Sequence, residues 1–131
     1  MSQKTIPDSS SKYFNEKEET LTREQIEALQ LERLQATVKH CMNSPFYKKR
    51  FEEAGLKPED IKTLDDIRKI PFTTKQDLRE TYPFGMASVP LRECIRLHSS
   101  SGTTGNPTVI LHTQNDIDEW ANQVARNLWM V

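Results

Sequence analysis

Apolar residues recur at threes and fours from Ile26 through Leu29, Leu34 and Val38 to Cys41, and that spacing predicts an amphipathic helix over 23–42. Thr22 and Gln25 stand three apart at its start as a capping box, each side chain closing the other residue's free backbone N–H. Asn43-Ser44-Pro45 breaks the pattern. Pro45 suits the first turn of a second helix carrying Phe46, Tyr47 and Phe51, and Gly55 is placed to cap its end. The two together read as a helical hairpin. Three short capped units come next, at Pro58-Glu59-Asp60, at Thr63 with Asp66, and at Thr73-Thr74 ahead of Gln76 and Asp77. Pro71, Pro83 and Pro90 punctuate them, and Pro83-Phe84-Gly85 turns the chain into an extended linker.

Strand-like sequence begins only after Leu91. Residues 94–98 alternate apolar and polar, 108–112 are β-branched and continuous, and each run reads as a strand. Thr113 with Asp116 forms a last capping box, after which Ile117, Trp120, Val124, Leu128 and Val131 continue at helical spacing. No Gly, Asn or Pro ends that pattern, so the sequence reads as cut rather than finished. At the other end, residues 1–20 are polar and carry the cluster Glu16, Glu18 and Glu19; they read as a flexible arm, with Tyr13 and Phe14 available to pin it. The fold class expected is α/β: a helical amino-terminal region, then a β-hairpin, then a helix.

Composition narrows the function. A chain of 131 residues, 35% hydrophobic and 28% charged with mean hydropathy -0.72, is one domain's worth with a modest core. A net charge of -1 provides no field for a polyanion or an acidic membrane, which argues against nucleic-acid and membrane-surface partners. The longest uncharged stretch, 97–115, is rich in Ser, Thr, Gly and Asn, so a membrane span is not expected and a soluble protein is. Cys41 and Cys94 form no C-x-x-C pair and the amino terminus has no apolar signal core, which points to a reducing cytoplasm.

Half of the four glycines, Gly102 and Gly105, sit in one run, Ser99-Ser100-Ser101-Gly102-Thr103-Thr104-Gly105-Asn106-Pro107, between the two strands. Hydroxyl donors with glycines that allow positive φ can turn successive N–H groups toward one anion, and phosphate fits such a nest. Neither the Walker A spacing nor Gly-x-Gly-x-x-Gly is present, and a cluster of this composition also suits a solvated hairpin turn. His98 and His112 flank the run, and with Cys94 they suggest a metal only weakly; ordinary strand histidines are the favoured reading. Arg92 and Arg96 are phosphate neighbours or plain surface cations. Lys48-Lys49-Arg50 is expected to form the wet face of its helix, with Phe46 and Phe51 as core anchors and Trp120 and Trp129 as helix-packing residues.

Taken as a string, Ser100-Ser101-Gly102-Thr103-Thr104-Gly105-Asn106-Pro107-Thr108 resembles the phosphate-binding signature of adenylate-forming enzymes, most closely that of the phenylacetate-coenzyme A ligase family. Ser44-Pro45-Phe46-Tyr47, the run from Pro71 to Arg79, Tyr82-Pro83-Phe84-Gly85 and Trp120-Ala121 are similar to that family's amino-terminal region. The resemblance implies that 21–131 is the amino-terminal part of a large adenylate-forming, AMP-binding domain, truncated. It implies a two-step acid-thiol ligase: a carboxylic acid, phenylacetate or a related aryl acid, attacks ATP to give an acyl-adenylate, and coenzyme A then displaces AMP. ATP with Mg²⁺ and coenzyme A are the co-substrates so implied. Ser100, Ser101, Gly102, Thr103, Thr104, Gly105 and Thr108 become the ATP phosphate-binding residues, with Ser101, Thr103 and Thr104 donating to the β- and γ-phosphates. Asn106 departs from the family, where a lysine is usual, so the loop lacks that cation. The adenine and acyl contacts, the Mg²⁺ carboxylate and a mobile carboxy-terminal domain would lie after Val131, in a missing carboxy-terminal polypeptide, so no catalytic residue is assigned and the isolated chain is expected to be inactive. The alternatives are a non-catalytic anion- or partner-binding module, including a homo-oligomer, and a family member that adenylylates a deazaflavin cofactor.

Overall fold

A computed structural model of the chain describes residues 10–101 and 107–129. Helix α1 (Glu16–Glu19) is a single turn, and α2 (Arg23–Cys41) is the long helix that the apolar spacing predicts. Its capping box forms: Gln25 N–H donates to Thr22 Oγ1 at 3.3 Å and Thr22 N–H to Gln25 Oε1 at 2.9 Å. Helix α3 (Pro45–Glu53) ends where Gly55 takes φ 63°, which lets Leu56 N–H reach the Phe51 carbonyl at 2.9 Å. An L side chain at position 55 would be strained in that conformation, so the glycine is what stops the helix there.

The core is small and lies in this first half. Val38, Phe51, Leu56 and Ile61 are its buried apolar residues, ringed by Leu31, Leu34, Cys41, Met42, Tyr47 and Ile70. Two 3-10 turns, Pro58–Asp60 and Leu64–Lys69, pack on α2 and do part of the covering that a simple helical hairpin would leave to α3. Their acidic third residues fix their starts: Asp60 accepts from Lys57 N–H at 2.8 Å, and one oxygen of Asp66 accepts from Lys62 and Thr63 N–H at 2.8 and 2.7 Å. Gln35 Nε2 donates to the Ile61 carbonyl at 2.8 Å and ties the first turn to the helix.

Two expectations for α3 change. Phe46 is only half-buried, with the Arg50 guanidinium 4.8 Å from its ring centre, so the core anchor is Phe51 alone. Lys48 and Lys49 do form the wet face, but Arg50 turns inward and donates to the Phe72 carbonyl at 2.8 Å and to Asp77 Oδ1 at 2.6 Å. The reason is geometric: a planar fork of donors can satisfy a carbonyl and a carboxylate at once, and both acceptors lie on the segment that crosses α3.

Helix α4 (Lys75–Glu80) begins at Thr74, whose hydroxyl accepts from Asp77 N–H at 3.2 Å. Gly85 follows with no room for a side chain, since a Cβ there would stand 2.9 Å from Thr81. After a 3-10 turn at Leu91–Glu93, strands β1 (Cys94–Ser99) and β2 (Val109–Thr113) pair antiparallel, with Leu97 opposite Leu111 and a bulge between Cys94 and Arg96. Helix α5 (Gln114–Trp129) closes the described chain. Its start is capped through Asp116 Oδ2, which accepts from Thr113 N–H at 2.7 Å and from the Thr113 hydroxyl at 2.9 Å.

Residues 14–19 lie against α5: Phe14 meets Trp129 edge-on at 6.1 Å, and Arg126 Nε donates to Glu19 at 2.9 Å. Other apolar side chains of α5 and of the hairpin stay partly in solvent among the described residues. Trp120, Val124 and Leu128 are 48%, 47% and 71% exposed, and Ile95, Leu97 and Ile110 of the hairpin are about half exposed. Among the described residues no helix is long and apolar enough to cross a membrane.

Ser44 gives the first prediction. It occupies the cap position of α3 yet its hydroxyl makes no capping bond, and its Oγ is fully buried without a hydrogen-bond partner among the described residues. Replacing a capping serine by alanine usually costs about 1 kcal/mol. Here Ser44→Ala is expected to be neutral or to stabilise by up to about 1 kcal/mol, because a desolvated and unused hydroxyl is removed. Urea denaturation checks this, and a loss of about 1 kcal/mol would assign the hydroxyl a bond it does not show.

Candidate functional site

The hydroxyl-rich run emerges from the closed end of the β-hairpin. Gly102, Thr103, Thr104, Gly105 and Asn106 lie outside the described residues, so the site is described by its neck. Ser100 and Thr108 form that neck. Ser100 N–H donates to the Thr108 carbonyl at 3.1 Å, and Thr108 N–H donates back to Ser100 Oγ at 3.0 Å. The side chain thus replaces the backbone carbonyl that the next rung of the ladder would use. The Ser100 carbonyl accepts from Ser99 Oγ at 3.1 Å instead. Ser101 is exposed just beyond the neck. Of the seven residues assigned to phosphate binding from sequence, the structure therefore brings Ser100 and Thr108 together and leaves Ser101 in solvent beside them.

One face of the hairpin carries Arg96, His98 and His112. His112 lies opposite Arg96, and His98 lies opposite Ile110. The two imidazoles meet edge-on at 4.8 Å, and the Trp120 ring lies 5.5 Å from His98 and 6.0 Å from His112. This stack joins the hairpin to α5 at the base of the loop, a role that the sequence reading did not give to the two histidines. Its signal was the shared strand face together with an aromatic two turns into the next helix. Cys94 pairs with Thr113 at the far end of the ladder. Among the described residues no three His, Cys, Asp or Glu side chains come together to hold a metal ion. Arg92 and Arg96 are exposed, and Arg92 lies 4.0 Å from Glu93. Burial raises the Cys41 thiol above its ordinary value, which disfavours the thiolate a nucleophile needs.

A cavity of about 830 Å³ opens between the helical region and the hairpin. Ala36, Thr37 and His40 of α2 line one side, the 83–89 segment another, and β2 a third. Ser88 Oγ and His40 Nε2 stand 2.9 Å apart and tie that segment to α2.

No profile of a known protein family matches the chain. Curated proteins do. The phenylacetate-coenzyme A ligase of Escherichia coli K12 is 53% identical over 111 residues, that of Pseudomonas putida 52%, and that of Thermus thermophilus 50% over the same length. The match takes in 84% of this chain and 25% of each relative, so the chain spans about a quarter of the length of the curated relatives it matches. Among solved structures, a 2-hydroxyisobutyryl-CoA ligase crystallised with its acyl-AMP and CoA in the thioesterification state superposes with a TM-score of 0.87 at 34% identity, covering 95% of this chain and 28% of that one. The same ligase in its postadenylation state superposes at 0.85.

Proposed function

We propose that this chain, homologous to the phenylacetate-coenzyme A ligases across 84% of its length, is the phosphate-loop segment of an acid-coenzyme A ligase that works through an acyl-adenylate. The observation that carries this reading is the 53% identity over 111 residues to a ligase of that name, higher than the 34% to the hydroxyisobutyryl ligase of known structure. On that ground the acid is phenylacetate or a related aryl acid.

In this reading Ser101, Thr103 and Thr104 donate to the β- and γ-phosphates of ATP while Gly102 and Gly105 let the backbone close on them, so that donors are in place as charge builds on the leaving pyrophosphate. Ser100 and Thr108 hold the neck that presents those donors, since their reciprocal bonds set where the loop leaves the sheet. Asn106 contributes a neutral donor. Mg²⁺ would accompany ATP and screen its charge, and no step is assigned to it. Adenine, acid and coenzyme A contacts belong to polypeptide equivalent to the other three quarters of the relatives, and the chain alone is expected to be inactive.

A chimera tests this. The segment of the Escherichia coli ligase that matches this chain is exchanged for it, and phenylacetate-dependent ATP–pyrophosphate exchange is measured. The expected rate is within about tenfold of the parent, falling by about 10²–10³ in Thr104→Ala, the usual cost of one transition-state donor. A folded chimera without exchange, or Thr104→Ala at parental rate, rejects the reading.

A further inference from the structure

Strand side chains alternate between faces, so Arg96, His98 and Ser100 point to one side of the hairpin. The register puts their partners on that side too, with His112 opposite Arg96 and Ile110 opposite His98, and the reciprocal bonds of Ser100 and Thr108 continue the same series. The Ser100 hydroxyl that closes the neck of the loop therefore shares a face with the two histidines. It stands two residues, about 7 Å of strand, beyond His98.

One indole holds that face. Trp120 lies 5.5 Å from the His98 ring and 6.0 Å from the His112 ring, and the imidazoles lie 4.8 Å from each other, so a single side chain of α5 touches both strands. Trp120 is itself fixed: α5 starts at Gln114, the residue after the last of β2, and the bonds of Thr113 to Asp116 lock the junction. The contacts are also directional. His98 meets His112 at 68° and Trp120 at 75°, edge-on arrangements in which the positive rim of one ring faces the π-cloud of another, and these select one orientation where an aliphatic contact would allow several. The hairpin needs such a hold, since Ile95, Leu97 and Ile110 are 56%, 49% and 50% exposed and a two-stranded ribbon is marginal by itself.

We propose that His98, His112 and Trp120 are positioning residues for ATP: by clamping the hairpin face to α5 they fix the height and angle of the Ser100–Thr108 neck, and through it where the phosphate run leaves the sheet. The role deepens the ligase reading and rests on it. Its size follows from how steeply phosphate donors depend on placement, because a donor helps a developing anion only within about 2.7–3.1 Å and a misplacement of about 1 Å can cost about a hundredfold. The stack acts at one remove. His98 and His112 sit below the neck on the same face, so a loosened stack tilts the ladder that carries Ser100 without removing a phosphate contact of its own. The effect should therefore fall on ATP and not on the acid, and it should pass through the neck.

The test measures ATP–pyrophosphate exchange in the full-length chimera that carries this chain in place of the matching segment of the Escherichia coli ligase, varying ATP and phenylacetate in turn. An aromatic pair is worth a factor of about 2–10 and Trp120 makes two, so Trp120→Ala is expected to raise the KM for ATP about tenfold and to keep the KM for phenylacetate within about twofold. Trp120→Phe, which keeps a ring, recovers most of that loss. Ser100→Ala also raises the KM for ATP, and adding Trp120→Ala to it costs less than about threefold more, the non-additivity of residues that act through one another. Where Trp120→Ala shows no melting transition, His98→Leu takes its place with an expected rise of about threefold. The proposal is overturned if the folded variant keeps the parental KM for ATP, if both KM values rise alike, or if the Ser100 and Trp120 effects multiply in full. A parent chimera without exchange rejects the ligase reading and this role with it, whereas an active parent whose folded variants are silent rejects the positioning role alone.

Discussion

Phe51→Ala is expected to abolish cooperative folding at 25 °C or to leave only a weak transition. Phe51 is 1% exposed and, among the described residues, sits with three other buried apolar residues, Val38, Leu56 and Ile61. Removing a buried phenylalanine costs about 3–5 kcal/mol, and a domain of ordinary stability has about 5–15 kcal/mol to lose. A chain with this small a core stands toward the lower end of that range. The backbone carbonyl of the same residue, which the substitution keeps, closes the Gly55 turn through Leu56 N–H, so the expected loss is one of packing. Urea denaturation followed by circular dichroism checks the prediction. A loss below about 1.5 kcal/mol would place the main core elsewhere, and the half-buried Phe46 gives the contrast, since Phe46→Ala should cost clearly less.

Asp77→Ala is expected to lower the melting temperature by about 10 °C. Asp77 is 8% exposed, and its two oxygens serve three donors: Oδ2 accepts from Thr74 N–H at 2.7 Å and from the Thr74 hydroxyl at 2.8 Å, and Oδ1 from Arg50 at 2.6 Å. Loss of the carboxylate uncaps α4 and leaves the Arg50 guanidinium, which is 30% exposed, with the Phe72 carbonyl and the Phe46 ring but without an opposite charge. The Thr74 backbone N–H, then its hydroxyl, and then Arg50 hold the Asp77 carboxyl below its ordinary value of 3.8. Asp66 is held low in the same way, first by the Lys69 ammonium and then by the Lys62 and Thr63 N–H groups. A carboxyl whose pKa is lower folded than unfolded contributes stability that is present above its unfolded value and is lost as pH falls through its folded one. The chain should therefore lose stability as pH falls below about 4, with a shallower decline in Asp77→Asn than in the parent. Thermal melts between pH 2 and 7 decide the matter, and parallel pH profiles for parent and variant would show that Asp77 carries no such linkage.

Much of the local structure was legible because it depends on neighbours in sequence. Thr22 with Gln25, Thr74 with Asp77 and Thr113 with Asp116 are capping pairs whose geometry closes within one turn, and all three form where their spacing puts them. Pro45 and Gly55 bound α3 for equally local reasons. The two strands were recognisable because alternation and β-branching are short-range signals, and the ends differ by a single residue. The hydroxyl-rich run between them was legible as a string, because its composition is read off directly from neighbouring residues.

Arg50 marks where that reasoning stopped. Its helical position gave it the same outward prospects as Lys48 and Lys49, and only the passage of residues 72–77 across α3 supplied two acceptors to turn it inward. Phe46 and Phe51 were equivalent as aromatic anchors until packing chose one of them. The histidine pair is of the same kind, since the 4.8 Å approach of His98 to His112 needs the register of two strands, and the cover of Trp120 needs the angle at which α5 leaves them. By itself the sequence determined caps, turns, the order of helices and strands from α2 onward, and the place of the loop, all properties of separations of a few residues. Tertiary structure alone decided which cation is paired, which aromatic is core, and which face of the hairpin meets Trp120, because each depends on which distant segment lies across from it.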